Sequence, residues 1–232
     1  MQNEITERVF YLRERIAVAA ACAGRSPDEI TLVGVSKRHS SESVRAAWDA
    51  GVREFGENYI QEARDKCAQL GELPGLRWHL IGGLQSNKAR LAVALFDVVQ
   101  TVDRLSLAQV LSREAEKQEK ELAVLVEVNL AGQENRAGVA EPEALALCEQ
   151  VAALPNLRLC GLMGMAPLRA DAEAIRPHFA RLRHLYEALP EANRRVLSMG
   201  MSGDFEAAIA EGANLVRIGT ALFGQRPSVS TT

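Results

Sequence analysis

The chain has 232 residues, 47% of them hydrophobic and 25% charged, an ordinary globular balance that excludes a disordered polypeptide. Lys and Arg number 27 against 30 Asp and Glu, for a net charge of −3. That excludes a general nucleic-acid binder, whose affinity would come from neutralised phosphates. No uncharged apolar run approaches the ~18 residues of a membrane span. The acidic and polar start, Met1 to Glu7, lacks the basic and apolar stretches of an export signal, so a cytoplasmic protein without a membrane partner is expected.

The first predicted helix runs from Glu4 to Ala23, with Ile5, Val9, Leu12 and Ile16 recurring at three- and four-residue steps. Gly24 ends it and Ser26-Pro27-Asp28 turns the chain. Ile30 to Ser36 follows, short, β-branched and apolar on both faces, as a buried parallel strand reads. Further strands are predicted at Arg53 to Glu57, Trp78 to Gly82, Val98 to Val102, Leu122 to Leu130, Leu157 to Met165, Val196 to Met201 and Leu215 to Gly219. The second is the most diluted, by Gly56 and its charged residues. Helical patterns fall between them, at Ser41 to Ala50, Tyr59 to Leu70, Ser86 to Leu95, Arg104 to Lys120, Glu141 to Leu154, Asp171 to Leu189 and Asp204 to Glu211. Eight strand–helix units fit a closed (β/α)8 barrel of the TIM type better than an open sheet, because closure leaves no edge strands. The extra first helix is expected to cap the barrel's bottom. No linker or shift in composition divides the chain, so residues 1–232 read as one domain, with a mobile tail from Arg226.

In such a barrel, function sits at the C-terminal ends of the strands. Lys37 directly follows the first strand, held at the rim beside Arg38. Partial desolvation and a neighbouring cation both favour the neutral amine, the form that attacks a carbonyl. The alternative is a surface lysine that closes the strand. The seventh strand ends in Ser198-Met199-Gly200-Met201-Ser202-Gly203-Asp204 and the eighth in Val216-Arg217-Ile218-Gly219-Thr220. Glycines, helix starts and the hydroxyls of Ser202 and Thr220 in adjacent strands point to a phosphate group, where any one glycine alone would only make a turn. Closure puts the eighth strand beside the first and brings Lys37 within reach of that phosphate. An amine beside a phosphate pocket suits a phosphorylated aldehyde, either pyridoxal 5′-phosphate (PLP) or a phosphosugar on an aldolase. Arg217, two residues before Gly219, would reach the barrel centre and keep a pyridine nitrogen unprotonated, or else form a structural ion pair.

Several motifs then carry a resemblance. Val35-Ser36-Lys37, Phe55-Gly56-Glu57-Asn58-Tyr59, Trp78-His79-Leu80-Ile81-Gly82-Gly83-Leu84-Gln85-Ser86-Asn87-Lys88, Gly161-Leu162-Met163, Gly200-Met201-Ser202-Gly203-Asp204 and Arg217-Ile218-Gly219-Thr220 stand in this order. Together they resemble the pyridoxal phosphate homeostasis protein family, also called the proline synthase co-transcribed family, from about Ile30 to Gln225. The resemblance implies a single barrel like that of alanine racemase, without its β-rich second domain. It implies that Lys37 forms a Schiff base with PLP, that Ser202, Gly219 and Thr220 bind the phosphate, that Arg217 faces the pyridine nitrogen and that Asn58 lines the pocket. Gly83 stands where a proline is frequent, and Arg38-His39 also departs from the pattern, neither at an inferred contact. The implied role is intracellular PLP and vitamin B6 homeostasis, without turnover. PLP-dependent apoenzymes are the implied recipients, and a monomer is expected.

The rival readings are a PLP-dependent amino-acid racemase or decarboxylase, for which Tyr59 or His79 would have to supply a second base, and a cofactor-free Schiff-base aldolase. Elsewhere, Glu127, Asn129 and Asn135 to Gly138 read as a solvated loop rather than pocket lining. Met163, Met165, Met199 and Met201 read as barrel core and outer layer. The Arg176 to Arg183 cluster reads as an exposed helix face or a docking patch, and Arg113 to Glu121 as a solvated face with ion pairs at helical spacing. The scattered Cys22, Cys67, Cys148 and Cys160 read as buried small hydrophobes. The four histidines (His39, His79, His178 and His184) form no zinc motif.

Overall fold

The computed structural model describes residues 2–132, 137–167 and 172–225. Eight parallel strands close on themselves in sequence order: β1 (Thr31–Val35), β2 (Glu54–Glu57), β3 (Arg77–Leu80), β4 (Val98–Val102), β5 (Leu122–Val128), β6 (Leu157–Gly164), β7 (Val196–Ser198) and β8 (Leu215–Ile218). Closure is made where β1 pairs with both β2 and β8, so that Val33 stands opposite Glu54 on one side and Arg217 on the other. The helices are α1 (Gln2–Cys22), α2 (Ser41–Asp49), α3 (Ile60–Leu70), α4 (Ala89–Leu95), α5 (Leu105–Lys117), α6 (Ala144–Ala152), α7 (Ala172–Glu187), α8 (Phe205–Ala210) and α9 (Thr220–Phe223). Among the described residues, no helix is long and apolar enough to cross a membrane.

Both faces of the strands are buried, which is why they read as continuous apolar runs. Outward residues such as Phe55, Val99, Val124, Leu162 and Val216 pack under the helices in the main core. Inward residues form a separate small cluster of Val98, Ala123, Leu125, Cys160 and Met163. The diluted second strand is real, and its two carboxylates explain the dilution. Glu54 turns into the barrel toward His79, while Glu57 turns out toward Lys66 on α3.

The structure corrects several expectations. α1 does not cap the bottom: it packs at the side of the barrel against α2, α8 and α9. Its buried stripe is the predicted one, Ile5, Val9, Leu12 and Ile16. Those side chains need an apolar partner, and all four find it in the main core beneath the helices. β7 ends at Ser198 rather than Met201, because Gly200 adopts φ +95° and leaves the extended region. α4 and α6 are preceded by short 3-10 turns at Ser86–Lys88 and Glu141–Glu143. Cys22 is exposed, not buried, whereas burial pushes the Cys148 thiol up to about 12. Asp171, Asn135, Arg136 and the tail from Arg226 lie outside the described residues.

The Arg176–Arg183 face is spent within the fold: Arg176 pairs with Glu211, Arg181 with Glu141 and Arg183 with Glu187. On α5, Lys117 pairs with Glu114 at helical spacing, 2.6 Å apart.

Candidate functional site

At the C-terminal mouth of the barrel lies a cavity of about 360 Å³, within the size range of small-ligand pockets. It brings together all six residues singled out in the sequence: Lys37, Asn58, Ser202, Arg217, Gly219 and Thr220. The closure of β1 onto β8 does this. A Cβ placed on Gly219 would lie 3.6 Å from the Val35 carbonyl oxygen, so the ends of the two strands touch two residues before Lys37.

Lys37 sits in the turn that follows β1, half-buried. Both of its chain neighbours are held. The Ser36 hydroxyl donates to Glu57 Oε1 at 2.6 Å, and Lys66 Nζ donates to the Ser36 carbonyl at 2.6 Å. The Arg38 N–H donates to Glu62 Oε1. Arg38 has φ +62°, a left-handed conformation unfavourable for a residue with a Cβ, which such a hydrogen bond helps to hold. Lys66 joins these holds, donating to Glu57 at 2.5 Å and to Glu62 at 2.8 Å. Burial pushes the Glu57 carboxyl above the usual carboxylate range, with Lys66 the largest opposing influence. Sequence reasoning missed Glu62 and Lys66, and gave Glu57 no role beyond its motif, because an ordinary charged helix face gives no sign that one of its lysines turns inward.

Arg217 is buried on β8 and faces the same cavity. Its Nη1 donates to Ser198 Oγ at 2.5 Å and its Nη2 to the Gly164 carbonyl at 3.0 Å. Burial pushes its guanidinium down to about 10, against the opposing charges of Glu127 and Asp204, so it remains a cation at neutral pH. The sequence offers a lining guanidinium or a structural ion pair; Arg217 lines the cavity and bonds to a hydroxyl and a carbonyl. Glu127 acts on it as a nearby charge.

The turns after β7 and β8 are tied together: the Ala221 N–H donates to Ser202 Oγ at 3.3 Å. Asp204 accepts from the Met201 N–H at 2.5 Å and closes the first of these turns. Room is left by missing side chains, since a Cβ on Gly83 or Gly203 would meet nothing within 4 Å. Gly82 is glycine for the opposite reason: a Cβ there would lie 2.3 Å from the Asn58 carbonyl oxygen. That close approach seats Asn58, whose buried Oδ1 has no hydrogen-bond partner among the described residues.

Two expectations fail here. Glu127 is not in a solvated loop; it is 2% exposed on β5 and lines the cavity. The alternation Ala123, Leu125, Glu127 points it inward, and that period of two was available in the sequence. Met165 and Met201 also line the cavity rather than the core. His79, one of the two candidates for a second base, lies deeper in the barrel against Gln100 and Glu54 and lines the opening at the base instead. Tyr59, the other, is 57% exposed and is not among the residues lining the mouth cavity.

An amine, a guanidinium and paired hydroxyl turns at the mouth of a parallel (β/α)8 barrel define an alanine racemase-like binding barrel. The alanine racemase, N-terminal domain, family model matches residues 12–227. The pyridoxal phosphate homeostasis protein of Pseudomonas aeruginosa is 48% identical over 97% of this chain and 96% of that protein. The protein of the same name from Escherichia coli is 43% identical over 97% of each. The structure of PipY from Synechococcus elongatus, with PLP bound, superposes with a TM-score of 0.83 at 40% identity, covering 95% of this chain and 100% of that one. The chain belongs to the pyridoxal phosphate homeostasis protein family, built on the alanine racemase N-terminal domain.

Proposed function

We propose that this protein binds PLP at the barrel mouth and serves intracellular PLP and vitamin B6 homeostasis without catalytic turnover. The observation that carries the reading is the meeting, in one cavity, of the Lys37 amine with the hydroxyl-bearing turns of Ser202 and Thr220. The PLP bound in the Synechococcus relative, and the names of the Pseudomonas and Escherichia relatives, support it.

The residues present fit the cofactor. PLP, when bound, supplies an aldehyde that condenses with a primary amine and releases one water. Lys37 provides that amine, from a turn held on both sides. Ser202, Gly219 and Thr220 take the phosphate, with hydroxyls and backbone that can approach an anion closely. Arg217, charged at neutral pH and donor-only, would lie against the ring nitrogen and keep it without a proton, which would weaken the ring as an electron sink. The unsatisfied Asn58 Oδ1 offers a hydrogen-bond acceptor.

Racemisation needs an acid or base on each face of the substrate carbon. Neither Tyr59 nor His79 lines the cavity, which supports a carrier over a racemase. In this reading the protein is a single cytoplasmic domain, acts as a monomer and hands PLP to apoenzymes.

Borohydride treatment of the PLP-loaded protein tests the reading. Colour becomes fixed covalently in the wild type, and Lys37→Ala abolishes the fixing. Racemisation of added amino acids stays at background. Turnover well above background that is lost in Lys37→Ala defeats the carrier assignment. A colourless protein trapped only with a phosphosugar makes it an aldolase.

A further inference from the structure

His79 stands in one of the most recognisable motifs of the chain, yet the cofactor site does not use it. Its hydrogen bonds show where it acts. Arg217 Nη1 donates to Ser198 Oγ at 2.5 Å, and Ser198 Oγ donates to Gln100 Oε1 at 2.7 Å. Gln100 Nε2 lies 2.8 Å from His79 Nδ1, and His79 Nε2 lies 2.5 Å from Glu54 Oε2. Glu54 Oε1 then accepts from Arg77 at 3.3 Å. Arg217, Ser198, Gln100 and His79 are all buried, so water is not there to repair a wrong orientation.

The two ends of this chain are chemically fixed. A guanidinium only donates. Glu54 only accepts while ionised, and the Arg77 guanidinium at its Oε1 favours that charged form whatever the state of His79. Every group between can therefore be oriented in one way only. Ser198 accepts from Arg217 and donates to Gln100, whose amide N–H donates to His79 Nδ1, so His79 carries its proton on Nε2 and gives it to Glu54. The opposite tautomer would face a bare Nε2 to a carboxylate and make the Ser198 oxygen accept twice, leaving its own hydroxyl proton without an acceptor in the chain. His79 also faces the base opening, with Arg77, Arg158, Arg195 and Cys160 around it.

We infer that Ser198, Gln100, His79 and Glu54 are positioning residues for Arg217, a one-way hydrogen-bond chain along the barrel's interior that aims the guanidinium into the cofactor cavity. The inference rests on the proposed placement of PLP. It adds that the base of the barrel is coupled to the mouth, so a change at Glu54 is felt at the cofactor.

The first test needs no cofactor. Nitrogen NMR of the histidine rings in ¹⁵N-histidine-labelled protein, with the His79 signals assigned by their loss in His79→Gln, should show Nε2 protonated and Nδ1 bare at neutral pH. A proton on Nδ1, alone or as imidazolium, overturns the chain. The second test compares Gln100→Leu, Ser198→Ala and Glu54→Leu with Ser198→Thr, which keeps the hydroxyl. The first three should weaken PLP binding about tenfold, the worth of one hydrogen bond to a charged group, and shift the visible band of the bound cofactor. Borohydride fixing on Lys37 should persist in them, and Ser198→Thr should bind and absorb like the wild type. Unchanged affinity and spectrum in Gln100→Leu overturn the inference while leaving the PLP reading intact. Wild-type protein that takes up no PLP defeats that reading instead, and the tautomer measurement then decides the chain alone.

Discussion

Lys66→Met removes the cation that organises the turn carrying Lys37. The variant keeps most of the side chain's volume but deletes three donated bonds, to the Ser36 carbonyl, to Glu57 and to Glu62. The Lys66 side chain is 6% exposed and that of Glu57 0%, so Glu57 would be left buried with the Ser36 hydroxyl as its remaining donor. Breaking a buried pair by removing one partner costs about 3–5 kcal/mol. With a urea dependence of ~3 kcal/mol per molar, the unfolding midpoint should fall by roughly 1–1.7 M.

The pH dependence follows from the direction of the Glu57 shift. Its folded carboxyl is already raised by burial, with Lys66 opposing. A group with a raised folded value binds its proton more tightly when native, so ionising it costs stability as pH rises through the window above the ordinary carboxylate value. Losing Lys66 raises it further. The variant's deficit should therefore be largest at neutral pH and shrink on acidification toward ~pH 5, where more of Glu57 is protonated. Urea titrations at both pH values measure this. A loss below ~1 kcal/mol, or one that does not shrink in acid, would refute the account of this cluster. In the double variant Lys66→Met/Glu57→Leu both charges are gone, and most of the stability should return. PLP trapping in this double variant should nevertheless be slower than in the wild type, because Ser36 has lost both of its holds.

Other substitutions separate binding from folding. Ser202→Ala removes a hydroxyl from the phosphate turn and the acceptor of the Ala221 N–H, and should weaken PLP binding about tenfold in a spectroscopic titration with little change in melting temperature. Gly82→Ala forces a Cβ to 2.3 Å from the Asn58 carbonyl, so the strand end must move; a loss of about 1–3 kcal/mol in urea unfolding together with weaker PLP binding is expected. Leu12→Ala, at a position 1% exposed on α1, should cost about 2–5 kcal/mol and leave PLP affinity unchanged, since Leu12 packs in the core away from the residues that line the mouth cavity.

The sequence by itself determined the alternation of strands and helices, and with it the barrel. A strand buried on both faces must be apolar throughout, and that is visible one residue at a time. It also determined where the candidate site residues fall. Lys37, Ser202, Gly219 and Thr220 each lie just past a strand end, and in a parallel barrel every such end faces the same mouth. Glu127 was equally legible from the two-residue period of β5. Tertiary structure alone decided the rest. Nothing in the composition of α3 distinguishes Lys66 from its exposed neighbours, and its inward turn comes from packing on β2. Ser198 and Gln100 are 98 residues apart and meet only because β4 and β7 face each other across a closed barrel. The side of the barrel that α1 covers was decided the same way. A hydrophobic stripe states that a partner is needed, but which partner depends on which neighbouring surfaces the closed ring of helices leaves apolar.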